Sequence, residues 1–231
     1  MSEHGKLTLV ATPIGNLGDL TDRARAALQE ADFWIVEDTR ISGKLASHLS
    51  LRKPMRVLNE HTPSHARDQL LRELVGGGSG VLMSDGGTPS ISDPGAMLCD
   101  ACHEHGVEVD ALPGPSAVTT AVAVSGFFGQ QFAFLGFMPR KHGAIVEAFR
   151  PFDESTFTLV FFESPYRIDK VLDPAFEALG ERRYAICREL SKVHQQIYRD
   201  ILPKAPSVAE MPRKGEITVV IEGLRRGAIE G

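Results

Sequence analysis

Short apolar runs alternate with amphipathic stretches through the first half of the chain. LTLVAT (7–12), FWIVE (33–37), MRVLN (55–59), GVLMS (80–84) and VEVDAL (107–112) are brief and bounded by turn formers, so each predicts a strand. Between them, TDRARAALQEA (21–31) has helical spacing with Thr21 placed to cap it, and residues 41–48 predict a short helix. Thr62 and Pro63 open SHARDQLLRELV with Thr at the cap and Pro at the first helical position, and Gly76–Gly78 close it. Asp93-Pro94 is expected to cap GAMLCDACHEH, which Gly106 stops. Strict alternation of strand and helix predicts a mostly parallel sheet with helices on both faces.

The rhythm changes at Pro113-Gly114-Pro115-Ser116, a stiff corner that sets the expected domain boundary: residues 1–114 form one α/β domain and 115–231 a second. After a helix over 116–125, FAFLGF (132–137), TFTLVFFE (156–163), RYAICREL (183–190), QQIYRD (195–200) and EITVVIEG (216–223) predict five strands with fewer helices between them. The run 195–200 is placed antiparallel to the strand before it. The second domain is thus read as α/β with a mixed sheet.

Composition narrows the functional classes. The 231 residues are 42% hydrophobic, enough for a substantial core. A net charge of −5 argues against binding a polyanion by bulk positive charge, though not against local basic patches. There is no 18-residue apolar stretch and no signal-peptide pattern, and three cysteines are too few and odd in number for a disulfide framework. The expectation is a soluble cytoplasmic protein without membrane contact. Cys99, Cys102 and His103 match a haem-attachment string, but they read better as ordinary residues of an amphipathic helix.

Several predicted strands end in polar or glycine-rich loops: TPIGNLGD (12–19), EDTR (37–40), SDGGTPSISDPG (84–95), MPRKHG (138–143), ESPYR (163–167) and RELSK (188–192). Strand C-termini of open α/β sheets line ligand crevices. A purely structural protein has little reason to load so many of them. The residues alone therefore predict a two-domain α/β enzyme with a ligand in an interdomain cleft.

Taken in order, TPIGNLGD, EDTR, SDGGTPSISDPG, PGPSA, GFMPRK, ESPYR, RELSK and the final KGE span nearly the whole chain. Together they resemble the ribosomal RNA small subunit methyltransferase I family, bacterial members of the tetrapyrrole methylase superfamily. The resemblance implies two α/β domains of the tetrapyrrole methylase (class III methyltransferase) type, a homodimer, and S-adenosylmethionine as methyl donor. It implies 2′-O-methylation of a cytidine ribose in the decoding region of 16S rRNA. Asp85, Gly86, Gly87 and Thr88 would wrap the donor, and Pro13, Ser116, Ala117, Phe162 and Leu190 would contact it. Gly86 stands where the family usually has Ala. The chemistry requires no metal.

A ribose hydroxyl must also lose its proton. Among Asp38, Glu60, His61, Glu163 and Glu189, the preferred candidates are Glu60 and Glu163, each a carboxylate at a strand end. Arg140 and Lys141 combine positive charge with a strand C-terminus and are assigned to RNA phosphates. Two alternatives stand beside this reading: a tetrapyrrole C-methyltransferase, which the basic loop disfavours, and a non-catalytic ribosome-assembly factor that binds RNA.

Overall fold

The computed structural model describes residues 5–225 and divides the chain into two compact units, Met1–Ser116 and Ala117–Gly231. The division falls just past the Pro113–Pro115 corner.

The first unit runs β1 (Lys6–Val10), α1 (Asp22–Glu30), β2 (Phe33–Val36), α2 (Thr39–Leu49), β3 (Met55–Val57), α3 (Ser64–Val75), β4 (Ser79–Leu82), α4 (Ala96–Glu104) and β5 (Glu108–Leu112). The sheet order is β3-β2-β4-β1-β5, and every pairing is parallel. Side-chain alternation divides the core in two. Val10, Trp34, Val36, Val81 and Met83 pack with Ala24, Leu28 and Leu45 of α1 and α2. Leu7, Phe33, Ile35 and Leu82 pack with Leu70, Leu74, Leu98 and Cys102 of α3 and α4 on the other face. Trp34 is fully buried, and its indole N–H donates to the Leu28 carbonyl at 2.9 Å, so its one polar atom is satisfied.

Thr21 caps α1 as its position predicts, accepting from the Ala24 amide at 3.1 Å. Two other caps differ from the sequence reading. Pro63, not Thr62, holds the cap of α3, and the Thr62 hydroxyl accepts instead from the Asn59 amide at 2.8 Å, closing the preceding turn. At α4 the cap is Gly95, with φ +140° and no side-chain bond; Asp93 serves elsewhere, as described below.

The second unit runs α5 (Ala117–Ser125), β6 (Phe132–Phe137), α6 (His142–Phe149), β7 (Thr158–Glu163), α7 (Ile168–Leu179), β8 (Arg183–Arg188), β9 (Gln196–Ile201) and β10 (Ile217–Ile221). Its sheet order is β6-β7-β10-β8-β9. Only β6 and β7 pair in parallel, so the sheet is mixed and β9 lies antiparallel to β8. Phe161, Tyr184, Ile186 and Val219 face α6 and α7. On the opposite face the Cys187 thiol donates to the Ala121 carbonyl of α5 at 3.8 Å. Among the described residues no helix is long and apolar enough to cross a membrane.

Candidate functional site

In the first unit β1 and β4 are neighbours whose following chains leave in opposite directions. From β1 the chain passes to β2 on one side, and from β4 it passes to β5 on the other. Such a reversal opens a crevice at the strand C-termini. The loops leaving these strands are tied together there. Thr12 and Gly87 form an antiparallel bridge, each amide donating to the other's carbonyl at 2.9 Å. Gly87 has φ +91°, open to glycine at no steric cost. The Thr12 hydroxyl donates to the Ser84 carbonyl at 3.1 Å, and the Thr88 hydroxyl to the Pro115 carbonyl at 3.4 Å. Pro13, Asp85–Thr88 and the corner before Ser116 are therefore brought together. A cavity of about 200 Å³ opens beside them, lined in part by Thr12, Pro13, Gly15, Ser84 and Asp85.

Carboxylates crowd the ends of β2 and β4. Glu37 is half-buried and accepts from the Asp85 amide at 3.3 Å. Burial, with the charges of Asp93 and Asp85 added, pushes its carboxyl up to about 7. Burial also raises Asp93, against a hydrogen bond from Ser84, and raises Asp85, with Asp38 adding repulsion. Asp38 behaves oppositely. Its carboxylate caps α2 at the Arg40 amide (2.8 Å) and takes the Arg40 guanidinium, which holds it down at about 2. EDTR thus splits: Asp38 and Arg40 satisfy each other at the surface, while Glu37 joins a group of carboxylates that strains to stay ionised. A cation placed there would relieve the repulsion.

At the end of β7 in the second unit, Glu163 is 5% exposed. Its Oε1 accepts from the Ser164 amide at 2.7 Å and lies 3.4 Å from Arg167 Nη1; its Oε2 is buried without a partner. Burial raises this carboxyl despite the Ser164 amide and Arg167. Arg167 also donates to the carbonyls of Met138 (3.4 Å) and Pro139 (2.5 Å), fixing the loop after β6. Arg140 and Lys141, further along that loop, are exposed and make no ion pair among the described residues.

The remaining candidates are dispersed. Glu60 follows β3 in a turn, its side chain 85% exposed and 3.4 Å from His61. Ala117 begins α5, Phe162 is half-buried on β7, and Leu190 is buried between Glu189 and Ser191, both at positive φ. Arg52, Lys53 and Arg56 lie before or at the start of β3. Of these, Lys53 donates to the Ala31 carbonyl and Arg56 pairs with Glu73, which makes them structural.

The family model described as Tetrapyrrole (Corrin/Porphyrin) Methylases matches residues 6–206. A protein of Thermotoga maritima is 42% identical over 95% of this chain and 99% of its own length. One of Mycobacterium tuberculosis is 46% identical over 95% of this chain and 78% of its own. Both are named ribosomal RNA small subunit methyltransferase I. Among solved structures, the methyltransferase CobJ aligns with TM-score 0.71 and 20% identity over 97% of both chains. Uroporphyrin-III C-methyltransferase of Thermus thermophilus, solved with S-adenosyl homocysteine, aligns with TM-score 0.64 and 19% identity over 94% of this chain and 97% of that one. At those identities the structural likeness is one of fold. By the family model and the near full-length relatives, the chain belongs to the ribosomal RNA small subunit methyltransferase I family of the tetrapyrrole methylases.

Proposed function

We propose that this protein transfers the methyl group of S-adenosylmethionine to the ribose 2′-hydroxyl of a cytidine in the decoding region of 16S rRNA, acting on the small ribosomal subunit in the cytoplasm as a homodimer. The observation that carries the proposal is the 42–46% identity, over 95% of the chain, to relatives named for that subunit's RNA. The tetrapyrrole alternative is supported only by likeness of fold at 19–20% identity.

The residues of the first unit fit such a donor. When bound, it supplies a methyl group on a positively charged sulfonium, and its amino-acid end carries an ammonium. The carboxylates Glu37, Asp85 and Asp93 repel one another and favour a positive guest. The Thr12–Gly87 bridge consumes the Gly87 amide, so Gly87 shapes the loop and leaves contact to Pro13, Asp85, Gly86, Thr88 and Ser116. Ala117, Phe162 and Leu190 complete the set that the family likeness assigns to the donor.

Of the two carboxylates proposed for proton removal, Glu163 has the more suitable chemistry: its raised pKa makes it a better base, and one oxygen has no partner to give up. Glu60 is open to solvent, with His61 beside it. Glu163→Gln is expected to lower kcat by roughly 10²-fold while donor affinity holds. Glu60→Gln is expected to stay within about twofold, far below the contribution of a general base. Single-turnover methyl transfer with both variants decides the assignment, and the reverse pattern would move the role to Glu60.

Donor binding gives a second test. A cation beside Glu37 returns its carboxyl toward the ordinary range and expels its proton near pH 7. Calorimetry in two buffers of different ionisation enthalpy should show proton release that Glu37→Gln abolishes. Equal heats in both buffers would place the positive group elsewhere.

A further inference from the structure

β6 carries one residue more than its partner strand. Phe134 stands opposite Val160 and Phe137 opposite Phe162, so three steps along β6 match two along β7. Gly136, at φ +66°, lies within this irregular stretch and supplies the turn. In an unbroken strand Phe134 and Phe137 would point to opposite faces. The bulge turns both onto the face of Phe162. The Phe134 and Phe162 centroids are 5.0 Å apart at 68°, and those of Phe137 and Phe162 are 5.3 Å apart at 56°.

Two of these rings are half-buried, but Phe137 is 67% exposed. Packing needs no bulge to bring a phenylalanine to water. The loop that follows is held rigid by Arg167 on the Met138 and Pro139 carbonyls. It then presents Arg140 and Lys141 with no ion pair among the described residues. A braced, outward aromatic ring with free cations three and four residues away has the chemistry of a single-stranded nucleic acid site, where rings stack bases and cations follow phosphates. An apolar protein partner would leave those cations unmatched.

We infer that Phe137, backed by Phe162 and Phe134, is a stacking platform for one unpaired base of the RNA substrate, with Arg140 and Lys141 on the adjoining phosphates. The inference rests on the RNA-substrate reading above and adds a base contact to it.

The test uses the full chain carrying Phe137→Trp, Phe137→Tyr or Phe137→Ala. Trp34 is the sole native tryptophan and is fully buried, so contact quenching by RNA reads the indole at 137 against a constant Trp34 background. The probes are a short cytidine-rich single-stranded RNA and an abasic ribose-phosphate strand of equal length. The RNA should quench the new indole and the abasic strand should not. Phe137→Ala should weaken RNA binding by about 5- to 150-fold with an unchanged salt slope, and Phe137→Tyr should retain it.

Equal quenching by both strands, or wild-type RNA affinity in Phe137→Ala, overturns the platform. So does a loss of donor affinity in Phe137→Ala, which would give the ring to the donor. A change of assembly mass without a change in RNA binding would make the patch a contact between copies. Wild-type methyl transfer to small subunits is measured in parallel. If it is absent while base-dependent quenching persists, the rRNA reading fails and the platform stands. If it is present while Phe137→Ala keeps full kcat/KM and RNA affinity, the platform fails and the reading stands.

Discussion

Glu37 carries a cost that depends on pH. Its folded carboxyl titrates near 7 against an ordinary value of 4.5. Well below 4.5 it is protonated in both states and costs nothing; between about 4.5 and 7 the unfolded chain ionises while the fold keeps the proton, so the cost grows across that window and is complete above 7. The full shift would be worth about 3 kcal/mol, and solvent screening at a half-buried site lowers this to about 1–2 kcal/mol. Glu37→Gln should therefore gain on the wild type by that amount between pH 4.5 and 8, measured by urea unfolding at stepped pH. A constant gap across the range would contradict it. Two glycines two and one residues before Thr88 should respond differently. A Cβ at Gly86 would stand 3.4 Å from the Pro13 carbonyl, an ordinary contact, so Gly86→Ala should change stability by less than about 0.5–1 kcal/mol and spare donor binding. Gly87→Val meets φ +91° and the bridge to Thr12, and should lose about 1–3 kcal/mol and donor affinity with it.

At the scale of elements, Gly136 is the test of whether the bulge is needed. Gly136→Ala puts a side chain at φ +66°, which costs about 1 kcal/mol, and favours a regular strand that carries Phe137 to the other face. Its RNA affinity should fall as far as that of Phe137→Ala; an unchanged affinity would show that the bulge does not position the ring. In the first unit the order of strands and helices was legible because each is a bounded apolar run or an amphipathic stretch, and Thr21 caps α1 where its position predicts; α6 and α7 of the second unit were not placed, and α7 carries Pro174 inside it. Thr62 and Asp93 escaped local reasoning because other partners drew them away. Thr62 closes a turn on Asn59, and Asp93 is buried among the carboxylates near the end of β4, with Ser84 of the same loop as its hydrogen-bond partner. That the chain leaves β4 in a loop was readable from the turn formers of 84–95, whereas the proposed donor role of Asp85–Thr88 came only from the family resemblance. The convergence of Glu37 with Asp85 and Asp93 was not readable, because it follows from β2 and β4 lying side by side, with β4 inserted between β2 and β1. The bulge left one trace in the sequence, a glycine inside a strand.

For the whole molecule, a chain of net charge −5 that acts on RNA as proposed would hold it through local cations. Replacing Arg140 and Lys141 together by Ala should reduce the salt slope of subunit binding by about 1.4 if both meet single-stranded phosphates, with donor affinity untouched. An unchanged slope would place the RNA elsewhere. The proposed homodimer is checked by light scattering at micromolar concentration, where a monomer mass would count against it. The central claim is the reaction itself. Small ribosomal subunits lacking the modification, incubated with the protein and methyl-labelled S-adenosylmethionine and then digested to nucleosides, should yield the label as 2′-O-methylcytidine from 16S rRNA. Label on a base carbon or nitrogen, on another nucleoside, or absent from the RNA while the donor still binds, would contradict the account.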